Sequence, residues 1–407
     1  MEGRTALLAH PAETERTSTP RLVVLGSMSF AAVGIAVVLP GALLPVLIER
    51  LGLRLSDAGL LLAAQPFGHL CSVLLLPYAV SRLDSRGPLV VAGSLLSAAV
   101  AALGWVSGWH GALLAMAISG ASIGALEVGT NTVLLVHTPE PNRILNLTHL
   151  FFGVTSVLTP ALAALGVEAG VRWEWVWALA SVPILAMALC WAAFAPSLAG
   201  TRPKPLTEQP RTNVLGQWPK LALVVAMGAY VGAEIGFGSW YTKYLAVAHD
   251  VPLASAGRGL SLYWAGLTLG RLLLARWAPG QSGVPFVTAL GIGAAFVGAG
   301  ALMAPGAMTF MLLGTLLGVS LAGIFPWLLA LAARWYPTQV ARVTGALLSG
   351  AGLGQMLFPW AMATVAEEVG VPRAMWIYPG LCFLVSVSVL WGSRRQRRRS
   401  VKAEAPF

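Results

Sequence analysis

Apolar runs of roughly 20 residues recur from one end of this chain to the other, and each is long enough to cross a bilayer core of about 30 Å. Charged residues make up only 10% of 407 positions, against about 25% in an ordinary soluble domain. At bilayer depth no water is available for backbone amides and carbonyls, so each crossing segment must pair its own groups and the runs are expected to be helices. Glycine and alanine occur at every spacing and strict alternation is absent, which argues against a membrane β-barrel. The expectation is an all-α membrane protein. About twelve runs are legible, at 22–49, 57–80, 88–108, 111–137, 145–168, 175–195, 219–247, 255–277, 283–303, 307–334, 340–368 and 374–392.

A segment rich in proline and charge, 196–218, cannot span and divides the runs into six and six. The expected organisation is a cytoplasmic N-terminal tail over 1–20, a six-helix half over 21–195, the linker at 196–218, a second six-helix half over 219–392 and a basic tail over 393–407. A weak repeat supports the division: Leu55, Ser56, Asp57, Ala58 and Gly59 open the second run, and Leu253, Ala254, Ser255, Ala256 and Gly257 open the eighth. With both termini placed inside, only Arg50, Arg54, Arg172, Lys243, Arg258 and Arg373 of the 26 Lys and Arg residues fall outside. That bias predicts cytoplasmic termini and a place in the cytoplasmic membrane. The first 20 residues lack the apolar core of a signal peptide.

The net charge of +10 needs no nucleic-acid partner. The Arg394–Arg399 cluster directly follows an apolar run and reads as an anchor on anionic lipid. Cys71, Cys190 and Cys382 fall inside predicted helices without metal-ligand spacing and read as inert packing. Trp105, Trp109, Trp173, Trp175 and Trp177 read by position as an interfacial belt. Pro40, Pro45, Pro326 and Pro359 bend their helices, and the two prolines of the first suggest a gating role. Gly345, Gly350, Gly352 and Gly354 allow the eleventh run a close neighbour.

Two carboxylates lie within the apolar runs: Glu127 in the fourth and Glu234 in the seventh. Charge at that depth is kept mainly where it faces a cavity, a partner or an ion. No Lys or Arg falls in the central part of a predicted run, so neither glutamate has an evident basic counter-ion. Desolvation disfavours the charged form of a carboxylate, so such a group suits the binding of a proton or a sodium ion. Both glutamates are therefore candidate cation-coupling residues. Around them, spacings of three or four put pairs on common helix faces: Glu127 with Asn131, Asn146 with His149, Gln65 with His69, and Tyr230 with Glu234. Tyr241, Tyr263, Trp264 and Gln355 complete a set of amides and rings. Amides and carboxylates pair with hydroxyls, and rings cover an apolar sugar face, so the set suits a polyhydroxylated solute. Gln65 and Gln355 are as readily explained by bonding within the bundle.

The stretches Leu126, Glu127, Val128, Gly129, Thr130, Asn131, then Asn146, Leu147, Thr148, His149, Leu150, Phe151, Phe152, Gly153 with Pro160, and then Tyr230, Val231, Gly232, Ala233, Glu234 resemble the fucose–galactose–glucose cation symporters of the major facilitator superfamily. Ile324, Phe325 and Pro326 match loosely. The resemblance implies twelve transmembrane helices in two six-helix pseudo-repeats. It implies Glu127 as the cation-linked glutamate and Asn131, Asn146 and His149 as sugar contacts. Glu234 is similar to the residue carried by sodium-dependent glucose members. Gly41 stands where the fucose transporter carries an Asp. The superfamily's loop between helices two and three is degenerate over 78–87, where Arg82, Asp84 and Arg86 are expected to keep an inner-gate charge role.

The leading expectation is a monomeric transporter taking up a hexose-like sugar by alternating access, driven by Na+ or H+, with sodium slightly ahead. The sodium reading counts on unwound backbone near Gly232 and Gly236 for oxygen ligands. A facilitator or exporter of another amphiphilic solute is the alternative on the same fold, and a non-transporting membrane sensor is a remote third. No nucleotide-binding loop, catalytic triad spacing or metal cluster is present, so neither an enzyme nor a cofactor beyond the coupling ion is expected.

Overall fold

A computed structural model describes residues 11–80, 86–195, 218–277 and 283–404. Every regular element among them is helical: α1 (Pro11–Ala42), α2 (Leu44–Leu51), α3 (Leu55–Val80), α4 (Arg86–Trp105), α5 (Trp109–His137), α6 (Pro141–Glu168), α7 (Trp173–Phe194), α8 (Trp218–His249), α9 (Leu253–Trp277), α10 (Val284–Leu302), α11 (Ala307–Leu321), α12 (Ile324–Trp335), a 3-10 turn (Pro337–Gln339), α13 (Val340–Val369), α14 (Val371–Ala374) and α15 (Ile377–Glu404). With α1–α2, α11–α12 and α14–α15 each read as one pass, the described residues make twelve helical passes. Among the described residues, ten of these passes are long and apolar enough to span a membrane. The two more polar passes are α9, with Arg258, Arg271 and Arg276, and α13, with Arg342, Glu367 and Glu368. Exposed Leu162, Leu179, Leu189 and Phe296 have no water-soluble explanation and fit a lipid-facing surface.

The passes fall into two halves. In the first, α1 packs on α5 and α6, α3 on α5, and α4 on α5 and α7; in the second, α8 packs on α13 and α15, α9 on α11, and α10 on α11 and α15. The halves meet where α3 lies on α13, α6 on α9, and α1 on α8. Helices α4, α7, α10 and α15 make their main contacts within their own halves. The predicted linker at 196–218 lies outside the described residues except for its last position. The helix predicted to begin after a tail over 1–20 begins at Pro11, and α15 carries helix through most of the predicted basic tail.

The glycines of the eleventh run act as expected at Gly354, where an added methyl would collide with the backbone of Gly228 on α8. The prolines of the first pass coincide with the break between α1 and α2 at Leu43. The tenth pass breaks at Ala322 and Gly323, just before Pro326. The tryptophan belt needs correction. Trp105 and Trp175 are half-exposed and meet edge to face, but Trp177 is completely buried and Trp173 nearly so. Their indoles fill the interior of the first half, where Trp173 meets Trp177 edge to face, and a large apolar ring gains more from that burial than from a lipid interface.

The end of the bundle remote from the termini is sealed between the halves. Thr242 Oγ1 donates to the carbonyl of Gly41 at 2.7 Å. The amide of Ala161 donates to Ser261 Oγ at 3.1 Å. Glu367 accepts from Ser56, and Glu168 accepts from the amide of Ala254. A Cβ at position 41 would stand 2.8 Å from Ser239 Cα, so glycine there lets α1 and α8 touch backbone to backbone.

Candidate functional site: a charged cluster at the seam of the halves

Helix α5 carries Glu127 and Asn131 one turn apart, and the neighbouring α3 brings His69 to Glu127. The ring Nε2 of His69 lies 2.8 Å from Glu127 Oε2. Neither group is sealed away: their side chains retain 25% and 33% of their accessible surface. On α6, His149 lies in the open. Its Nε2 is 3.4 Å from Asn131 Oδ1, a long contact, and its ring lies tilted against Phe30 of α1 with centroids 3.8 Å apart. His149 lies within the electrostatic reach of both Glu127 in its own half and Arg271 in the other.

Helix α9 supplies that arginine. Arg271 Nη2 donates to Glu234 Oε1 of α8 at 3.1 Å. The carboxylate is buried at 7% exposure, while the guanidinium side chain retains 42%. Tyr263 donates its hydroxyl to the backbone carbonyl of Glu234 at 2.8 Å, and Tyr230 lies buried beside the pair. Trp264 meets Phe152 of the first half edge to face, with centroids 6.4 Å apart. The ionisable groups thus form one series across the seam, running from His69 and Glu127 through His149 to Arg271 and Glu234.

This arrangement corrects the expectation that Glu234 lacks a basic partner. Arg271 lies near the end of its predicted run and reads by position as a membrane-edge residue. A helical side chain leans toward the N-terminus of its helix, and for α9 that direction leads back toward mid-depth and Glu234. The sequence does hold a signal for it: Arg271 is seven residues after Trp264 and eight after Tyr263, on the face already singled out.

The remaining residues divide. Gln65 is buried and donates at 3.0 Å both to the carbonyl of Ala36 and to Ser119 Oγ, tying α3 to α1 and α5. Tyr241 is fully buried among Phe237, Tyr263 and Phe310 inside the second half. Asn146 is exposed on α6, and Gln355 is half-buried on α13. Arg82 and Asp84 lie outside the described residues, and Arg86 opens α4. Helix α8 runs unbroken from Trp218 to His249. Gly232 packs on Phe358 and Gly236 on Tyr378, so the unwound carbonyls on which the sodium reading counted are taken up in helical hydrogen bonds.

Two helical halves thus meet around ionisable groups carried on otherwise apolar helices. The family model for the Major Facilitator Superfamily matches residues 24–308 and 284–407, and the chain belongs to that superfamily. A Protein TsgA homolog of Yersinia pestis (strain Pestoides F) is 24% identical over 259 residues, 61% of this chain and 64% of that protein. The chain therefore spans less than two thirds of the length of the curated relatives it matches. Among solved structures, a D-xylose–proton symporter superposes with a TM-score of 0.76 at 12% identity, covering 91% of this chain and 97% of that one. An inward-facing, occupied bacterial homolog of the human lysosomal transporter Spinster gives 0.74 at 12% identity, covering 93% and 97%. The E. coli fucose–proton symporter FucP gives 0.61 at 17% identity, covering 91% and 98%. At these identities the likeness is one of fold.

Proposed function

We propose that this chain is a proton-coupled transporter that takes up a small polyhydroxylated solute of the sugar class by alternating access. The observation that carries the reading is the His69–Glu127 pair. It joins two groups that can each gain or lose a proton, it is partly accessible, and it lies one helical turn from Asn131. A proton arriving on this pair neutralises charge beside the solute contacts, which is how one gradient can drive another flux. Asn131, Asn146 and His149 offer the donors and acceptors that hydroxyls require. Glu234 is the weaker coupling candidate because Arg271 already compensates its charge and would repel a sodium ion. The resemblance to fucose–galactose–glucose symporters and the folds shared with xylose and fucose symporters support the sugar class.

The Lys and Arg asymmetry supports cytoplasmic termini in the cytoplasmic membrane. The sealed end then faces outward in this state. The chain works as a monomer in this reading, since each half finds its complement in the other. The experiment is uptake of labelled sugars into proteoliposomes under separately imposed proton and sodium gradients. Proton-driven accumulation with sodium replaced by choline supports the reading, and sodium-driven accumulation insensitive to a protonophore refutes it.

One observation favours a second reading of the substrate. The guanidinium of Arg271 keeps much of its surface free beside His149, and a guanidinium recognises carboxylates in its own plane. A sugar acid would use it where a neutral hexose would not. Uptake of labelled gluconate or glucuronate in preference to glucose, lost in Arg271→Gln, would select this reading.

A further inference from the structure

The repeat that opens α3 and α9 has a counterpart in space. The second residue of α3 is Ser56, and its amide and hydroxyl donate to Glu367 Oε1 at 3.1 and 2.6 Å. The second residue of α9 is Ala254, and its amide donates to Glu168 Oε1 at 2.7 Å. Three residues on, Gly59 packs against Pro359, Trp360 and Ala363 of α13, and Gly257 packs against Pro160 and Ala164 of α6. The spacing is the same on both sides: proline, alanine four residues later, glutamate four later again. Each contact joins one half to the other, and the two contacts exchange under the pseudo-twofold relation of the halves.

The first amides of a helix have no partner within it, and a carboxylate there satisfies them and complements the helix dipole. Ordinarily such a cap comes from the same chain segment. Here each cap is supplied by the opposite half, so it can exist only while this end is shut. We propose that Glu168 and Glu367 are two equivalent latches that hold the sealed end of the transporter closed, each capping in trans the helix that begins the facing repeat. Both carboxylates are exposed at the surface, so their removal leaves the packed interior intact. The glycines set the distance, and a side chain at either would part the helices before the caps could form. This inference concerns the conformational equilibrium and does not depend on which solute or ion is carried.

The test uses the full chain in lipid nanodiscs, with Cys71, Cys190 and Cys382 replaced by alanine. Spin labels are placed at His110→Cys and Thr309→Cys, exposed positions at the sealed end on opposite halves. The distance distribution is read without solute. Loss of a cap of this kind shifts an equilibrium by about five-fold. Glu168→Ala and Glu367→Ala are each expected to raise the long-distance population by that factor, and the double variant by about twenty-five-fold, since independent sites add in free energy. Glu174→Ala is the control: it lies at the same end but among the described residues its ion pairs are with Arg50 and Arg172 of its own half, and the distribution should not change. A double variant with the wild-type distribution overturns the proposal. A full effect from one glutamate and none from the other overturns the equivalence of the two latches.

Discussion

The two intramembrane glutamates look alike in sequence and differ in structure. Glu127 contacts a histidine, is a third exposed, and lies one helical turn from Asn131 of the same helix. Glu234 is buried against an arginine with a tyrosine hydroxyl on its backbone. An arginine stays charged at any physiological pH, and a histidine does not. The first pair can therefore change its net charge during a cycle, while the second keeps a fixed dipole in the wall of the seam. Depth in the membrane did not distinguish them; the partner did.

The largest expected effect comes from removing the fixed partner. Arg271→Leu leaves a buried carboxylate without compensation, a loss of about 3–5 kcal/mol. Thermal unfolding in detergent should show a strongly lowered midpoint, and adding Glu234→Leu should recover most of it. A small loss in Arg271→Leu would mean that Glu234 is not held by that arginine, and the contrast between the pairs would fail. The corresponding change in the first half, His69→Leu, removes a partner from a carboxylate that is a third exposed and that water can solvate. Its cost in the same unfolding experiment should be about 1 kcal/mol. Equal losses in the two variants would erase the distinction.

The all-helical fold was legible in the sequence because the bilayer leaves few options: apolar runs of spanning length must pair their own backbone groups. That Glu127 and Asn131 share a face of α5 was legible because helix faces are read directly from spacings of three and four, whereas the contact of His69 with Glu127 joins two helices and no spacing shows it. Arg271 was missed because sequence places it by distance from the end of a run, whereas its side chain leans back toward the N-terminus of α9 to reach Glu234. The seal was half legible. The repeat at Ser56 and Ala254 stands out, but its partners Glu367 and Glu168 lie at the far ends of other helices, and no local pattern joins them. Tyr241 and Trp177 were misplaced for a common reason: an aromatic residue reads alike whether it faces lipid, solute or core.

A smaller effect sharpens the account of recognition. Asn131→Ala deletes one hydrogen-bonding side chain one helical turn from Glu127 of the His69–Glu127 pair. Solute affinity should weaken by about five- to ten-fold, in keeping with a single lost bond. The ratio of protons to solute should stay unchanged, as read by simultaneous dye and isotope fluxes. A changed ratio would place Asn131 in the proton path itself.

The central claim, that proton coupling resides in the changeable pair and not in the fixed one, is tested most directly by Glu127→Gln in proteoliposomes. The amide keeps the shape and a hydrogen-bond acceptor for His69 and cannot titrate. Solute exchange between equal concentrations is expected to persist while proton-driven accumulation and solute-induced proton uptake both vanish. Accumulation at the wild-type level in Glu127→Gln would contradict it.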